Sequence, residues 1–239
     1  MDCFTSTGAL SRQLVKVARP GMITEQHLAS EICCAYLVRR LGLIVADTQV
    51  VAIREPYLAA INETLRAMDQ RETLIPGWAI GATDFPGFQP INNSTRFSKK
   101  YRGEASILYA FDLMSMHYDR LSENPNCGLK DGRLFVFDFD QCFPYITEQG
   151  PLYDKREPWQ VARVAWREGH LFRSWLKTVA LDTDAVASAF SLWDTGWLRS
   201  HRPIVPREWE PTADRIWEEA ENLGRHLSNF VHEVEKSLL

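Results

Sequence analysis

An Asp-Gly pair at positions 131 and 132, set between two apolar runs, constrains this 239-residue chain more than any other feature. A two-residue hairpin loop of type I′ needs positive φ at both central positions, which Asp-Gly readily supplies. The run Leu134 to Phe139 is nearly all large and apolar, too short for a typical helix and bounded by turn formers, so it reads as a buried strand. Residues 126–130 are therefore expected to pair with 133–137. Counting outward from the turn, Lys130 faces Arg133, Cys127 faces Val136, Asn126 faces Phe137 and Pro125 faces Asp138. Directly opposed residues lie roughly 5 Å apart at Cα. Asp138 is thus expected beside Asn124, with Asp119 one short loop away.

Two carboxylates and a carboxamide gathered in this way suit Mg²⁺, which takes one or two carboxylates and completes its shell with water and phosphate. The order also matches a template for phosphoryl transfer: a loop Asp, an Asn five residues later, and a second Asp after a hairpin. Asp119, Asn124 and Asp138 fill those places. His117-Tyr118-Asp119 stands where many protein kinases carry His-Arg-Asp, and Asp138-Phe139-Asp140 where they carry Asp-Phe-Gly. Upstream, Lys16 lies in a strand-like segment and Glu31 early in the helix that follows, the arrangement in which a Lys holds nucleotide phosphates and a helix Glu orients it. Each residue also has a plain structural reading. Asp119 and Asn124 are loop formers that bond to local backbone, and Lys16 and Glu31 are ordinary solvated side chains. Asp138 is harder to explain that way, because a carboxylate closing an apolar strand needs a partner or a cation. The order Lys, Glu, Asp, Asn, Asp favours the functional reading.

Hydrophobic residues make up 45% of the chain and charged ones 24%, an ordinary globular balance, and the formal net charge is −4. That charge offers no footprint for wholesale binding of nucleic acid or of a membrane surface. Arg96, Lys99, Lys100 and Arg102 form one local basic patch, read as a solvated loop in preference to a phosphate contact. Five cysteines, Cys3, Cys33, Cys34, Cys127 and Cys142, lack metal-ligand spacing and read as reduced core residues. No apolar run reaches the length of a bilayer span and no leader pattern is seen, so the cytoplasm is the expected compartment.

Along the chain, "RQLVKV" reads as a strand, Thr24 to Leu41 as a helix capped by Thr24 and stopped by Gly42, and "TQVVAI" as a strand. A helix over 56–70, the strand "GWAIGAT", a connector from Asp84 to Ser94 and a helix over 103–117 follow. From Trp159 onward the pattern is helical, broken at Pro203 to Pro206 and ending in a long periodic segment from Ile216 to Leu238. The tryptophans of this helical part are expected in the core.

The segments "ASEICCAYLVRRLGLIVADTQVVAI", "YDRLSENPN" and "VFDFDQCF" resemble the HipA-like kinase family: its Glu-bearing helix and following strand, its Asp-Arg loop leading to Asn-Pro-Asn, and its Ile-Asp-His-Glu-Gln-Ala-Phe type metal motif. The likeness runs from about Leu14 to the C-terminal helices. It implies a two-lobed α+β protein-kinase-like fold, with a reduced mixed N-lobe over 1–83 and a mainly helical C-lobe over 84–239. It implies ATP and Mg²⁺ as cofactors, Asp119 as the catalytic residue, Asn124 and Asp138 as metal ligands, and Lys16 with Glu31 as the nucleotide-binding pair. The implied activity is phosphorylation of a Ser or Thr hydroxyl on a protein target, in some members as a toxin restrained by a partner protein. Fifteen residues precede Lys16, with Gly8 their sole glycine, so "TSTGALS" makes at most a minimal phosphate loop. A partner chain completing the first lobe and a catalytically impaired, regulatory nucleotide binder both stay open. Asp140, where Gly is usual, either adds a metal-facing carboxylate or caps the strand end. The rival enzyme reading takes "FVFDFDQ" as the nucleophile motif of a haloacid-dehalogenase-like phosphatase, with Asp138 attacking phosphate. It leaves Asp119, Asn124 and the hairpin without a role.

Overall fold

Thr24 starts the helix around which the rest is arranged. Its hydroxyl accepts the His27 amide, and the Thr24 amide donates to His27 Nδ1 at 3.1 Å, a reciprocal cap on α1 (Glu25–Arg40). The helix ends at Gly42, whose φ of 88° suits a residue without a Cβ. Leu28, Ile32, Cys33, Cys34, Leu37 and Val38 are all buried, so α1 runs through the core. Truncating a buried leucine such as Leu37 to alanine costs about 2–5 kcal/mol. The computed structural model describes residues 2–4, 10–19, 22–68, 74, 76–83, 86–91, 95–147 and 169–239. Residues 5–9 of the expected phosphate loop over 5–11 and the helical start at Trp159 lie outside them, and the last two residues of that loop, Leu10 and Ser11, belong to a strand, Leu10–Val17.

Among the described residues, two four-stranded sheets and nine α-helices make a mixed α+β chain. The first sheet is antiparallel, in the order β1 (Asp2–Phe4), β2 (Leu10–Val17), β5 (Gly77–Thr83), β4 (Thr48–Ile53). Val15 and Val17 of β2 pack on a small cluster of Ile53, Ala79 and Leu58, the last from α2 (Glu55–Ala67). Side chains alternate along a strand, so Lys16, paired with Ile80, turns to the opposite face.

The second sheet runs β3 (Ile44–Val45), β8 (Arg133–Val136), β7 (Cys127–Lys130), β6 (Gln89–Pro90). Its hairpin has the expected register, with Lys130 opposite Arg133 and Cys127 opposite Val136. Asp131 and Gly132 both have positive φ, 51° and 74°, as a type I′ turn requires. β3 pairs parallel with β8, tying the chain just after α1 to the hairpin. Strand pairing stops earlier than the apolar run predicted. The Phe137 amide still donates to the Asn126 carbonyl at 3.2 Å, but Asp138 takes φ of 62° and turns the chain out of the sheet.

Helix α3 (Arg102–Ser115) is buried from Ala105 onward except at the half-buried Ile107, and closes on Met116 in the left-handed region. It delivers the chain to His117. After α4 (Pro144–Thr147), the C-terminal part comprises α5 (Arg173–Val179), α6 (Thr183–Phe190), α7 (Thr195–Ser200), α8 (Glu210–Arg225) and α9 (Leu227–Lys236). The periodic segment from Ile216 to Leu238 is two helices, because His226 leaves helical geometry at φ −124° and ψ 25°. Trp193, Trp209 and Trp217 are buried as expected, and the Trp193 indole donates to the Leu37 carbonyl at 3.1 Å, fastening α1 to the segment between α6 and α7. Cys33, Cys34, Cys127 and Cys142 are free thiols in the core, and burial pushes those of Cys33 and Cys127 up to about 12.

Candidate active site

Three elements converge on the Lys16 ammonium. Glu31 of α1 accepts from Nζ at 3.2 Å, Asp140 at 3.0 Å, and Asp138 makes the closest contact of the three. Glu31 also accepts the Phe139 amide at 2.7 Å, so α1 and the corner after β8 are stapled through one carboxylate. Burial disfavours a charged ammonium, yet the carboxylates of Glu31, Asp138 and Asp140 outweigh it and hold Lys16 above the ordinary lysine range. Glu31 is shifted upward, by its own burial first, with Lys16 opposing. Lys16 and Glu31 were expected together on order alone, and the structure joins them. Sequence reasoning missed the direct bond from Lys16 to Asp138 and Asp140.

The loop after α3 forms a second cluster. Asn124 donates to Asp119 Oδ2 at 2.8 Å, and Asn126 donates to the same oxygen at 3.0 Å. Asn126 holds φ of 46°, a region that asparagine enters more readily than most residues. The His117 ring reaches the Asp138 carbonyl at 3.1 Å, and Tyr118 donates to the Gln141 side chain. The loop and the corner after β8 therefore touch through His117 and Tyr118 on one side and the Asp138 carbonyl and Gln141 on the other. Among the described residues, no hydrogen bond joins Asn124 to Asp138 themselves.

Beneath this loop lies a buried charge cluster that sequence reasoning passed over. Asp112 of α3 accepts from Arg120 Nε at 2.6 Å and from His170 Nε2 at 2.9 Å, and all three side chains are essentially inaccessible. Burial alone would raise Asp112, but the Arg120 guanidinium beside it holds the carboxyl below its usual range. Burial, with Arg120 adding to it, pushes His117 down to about 3, so its ring is neutral. The available signal was Asp112 itself, a lone carboxylate inside the apolar run "ILYAFDLM".

A cavity of about 390 Å³ opens beside Lys16. Leu14, Val17, Ile23, Ala46, Ile80 and Ala82 give it an aliphatic wall, and Lys16, Glu31 and Asp138 mark a polar end. The donor chemistry at that end fits a divalent cation: the carboxylates of Glu31, Asp138 and Asp140 share the Lys16 ammonium, and Asp138 offers a hard oxygen ligand, with Arg19 also on the cavity wall. Among the described residues, no set of three or more His, Cys, Asp and Glu is arranged to hold an ion alone. Of the basic patch, Arg102 is paired with Asp182 at 3.1 Å and Lys100 lies over the Tyr101 ring.

No family model matches this sequence, and no curated protein matches it. Among solved structures, the fold is similar to a chain of the Shewanella oneidensis MR-1 toxin–antitoxin complex of HipA, HipB and operator DNA, with 11% identity and a TM-score of 0.44. The match covers 99% of this chain and 65% of that one. A likeness this distant carries no weight for the chemistry. Among the described residues, no helix is long and apolar enough to cross a membrane.

Proposed function

We propose that this chain is a HipA-like, two-lobed kinase-like protein that binds Mg·ATP and transfers the γ-phosphoryl group to a Ser or Thr hydroxyl of a protein. The observation that carries the reading is the junction at Lys16, where strand, helix and post-hairpin corner meet at the polar end of an aliphatic cavity. An aliphatic slot with a few convergent polar groups suits a flat base with a charged tail. The division into lobes at about residue 83 belongs to this proposal, with the cavity bordered by residues from both sides of that boundary.

In this reading the base lies among Leu14, Ile80 and Ala82, and Lys16 meets the phosphates. Glu31 keeps the ammonium aimed, being itself fixed by the Phe139 amide. Asp138 and Asn124 would hold Mg²⁺, which when bound neutralises phosphate charge. Asp119 orients the acceptor hydroxyl and takes its proton as the oxygen–phosphorus bond forms and ADP departs with the other bonding pair. Asn124 and Asn126 hold one Asp119 oxygen, which leaves the other to face the acceptor.

Incubation with γ-labelled ATP and Mg²⁺ beside Asp119→Asn tests the reading. The expected result is label on protein hydroxyls that the variant loses, while ATP still raises the Tm of both. Thermal stabilisation without label would favour the regulatory nucleotide binder. Failure of ATP to stabilise either protein would overturn the proposal.

A further inference from the structure

We infer that His170 is a positioning residue for the Asp119 loop, acting through Asp112 and Arg120; the inference rests on the kinase reading for its catalytic consequence. His170 belongs to none of the sequence motifs and stands 58 residues from Asp112. Its ring is assigned by its neighbours. Nδ1 accepts the Phe172 amide at 3.2 Å, so the proton sits on Nε2 and is donated to Asp112 at 2.9 Å. The same Asp112 oxygen receives Arg120 Nε, and Arg120 Nη1 donates onward to the Asn126 carbonyl at 2.7 Å. Asn126 in turn donates to the Asp119 carboxylate. A continuous path of bonded groups thus runs from His170 to the proton acceptor.

The backbone repeats the link. His170 forms an isolated bridge with Leu121, and the Leu171 amide donates to the Arg120 carbonyl at 3.1 Å. The edge of the Tyr109 ring, 4.9 Å away, holds the imidazole in place. The groups facing His170 are Asp112 and Arg120, with His117 on the far side of the carboxylate.

The cluster is sensitive because it is barely satisfied. Among the described residues, Asp112 Oδ1 and Arg120 Nη2 are buried without a hydrogen-bond partner, and His170 supplies one of the two hydrogen bonds to the Asp112 side chain. A buried ion pair holds its geometry only when such extra bonds are made. Without the donor, the carboxylate is free to rotate toward His117, whose Nδ1 lies 3.6 Å from Oδ1. Arg120 and Asn126 then lose their fixed reference. A displacement of about 1 Å at a reacting group can cost about 100-fold in rate.

The test compares His170→Leu, which removes the donor, with His170→Gln, whose amide N–H can take the place of Nε2–H. The expected result for His170→Leu is a fall of about 10- to 100-fold in kcat for phosphoryl transfer with an ATP KM within about twofold of wild type. His170→Gln is expected to recover most of that loss. Hydrogen exchange, read without any activity, is expected to quicken at the Leu121 and Phe137 amides, which bond to Asn124 and Asn126, in the Leu variant and not in the Gln variant. Unchanged exchange in His170→Leu, or a Gln variant as impaired as the Leu one, would overturn the inference. If wild type transfers no phosphate while exchange follows the expected pattern, the positioning role stands and the kinase reading falls. Should His170→Leu fail to fold, His170→Gln against His170→Asn, which can keep the Nδ1 contact and lose the Nε2 donor, gives the same comparison.

Discussion

Replacing Lys16 by methionine removes the ammonium that Glu31, Asp138 and Asp140 share. Glu31 and Asp140 side chains are 7% and 9% exposed, whereas Asp138 is 34% exposed and can relax into water. Breaking a buried ion pair by deleting one partner costs about 3–5 kcal/mol. Partial exposure of Lys16 and Asp138 lowers that to about 2–3 kcal/mol at pH 7. A chain of this size loses about 2–4 °C of Tm per kcal/mol, so Lys16→Met is expected to melt roughly 5–10 °C below wild type. The pH dependence has a definite sign. Burial raises Glu31, and the variant loses the ammonium that opposed this. A carboxyl whose folded pKa lies above its unfolded value of about 4.3 binds more protons when folded. The deficit is therefore complete above the folded pKa and shrinks as pH falls toward 4.3. Mg²⁺ is expected to restore more stability to the variant than to wild type, because it answers the same excess charge. Calorimetry at pH 7 and pH 5, with and without Mg²⁺, measures all three effects. A variant as stable as wild type at pH 7, or a deficit that widens on acidification, would refute the reasoning.

The neutral His117 predicts acid sensitivity of its own. With a folded value of about 3 against about 6.5 unfolded, its contribution is complete above 6.5 and is lost as pH falls toward 3, reaching several kcal/mol. Urea unfolding from pH 7 to pH 4 should show a shallower acid slope in His117→Gln than in wild type; equal slopes would rule out His117 as the source. At the hairpin, Gly132→Ala meets no atom within 4 Å but must hold a φ of +74°. The expected cost is about 1–2 kcal/mol with ATP binding unaltered, checked by thermal melts with and without nucleotide.

Much of the site was legible where local chemistry dictates geometry. The Asp131-Gly132 turn set the register of β7 and β8, and with it the approach of Phe137 to Asn126. The Thr24 hydroxyl and the positive φ open to Gly42 bounded α1 by local chemistry alone. The strand reading overran at Phe137 to Phe139, because the apolar run continues past the last strand pair while the backbone turns at Asp138. Periodicity failed at His226, where two helices keep one apolar face in phase. Asp112, Arg120 and His170 were illegible for another reason. Their partnership exists only after α3 and the residues around 170 have folded against each other, and no short-range pattern marks it. Asp140 was noticed as a departure, but its bond to Lys16 depends on the corner that the strand reading overlooked.

That corner places two independent demands on residue 138. A φ of 62° is comfortable for Gly, Asn and Asp and strained for nearly every other residue. The bond to Lys16 calls for an anion. Gly and Asn meet the first demand only, and Glu meets the second only. Aspartate satisfies both, so the shape of the turn and the charge of the site select the same amino acid. Asp138→Asn therefore removes charge while keeping the turn, and Asp138→Gly keeps the turn while removing the side chain. The pair separates what this carboxylate does for the chain's path from what it does for a bound cation.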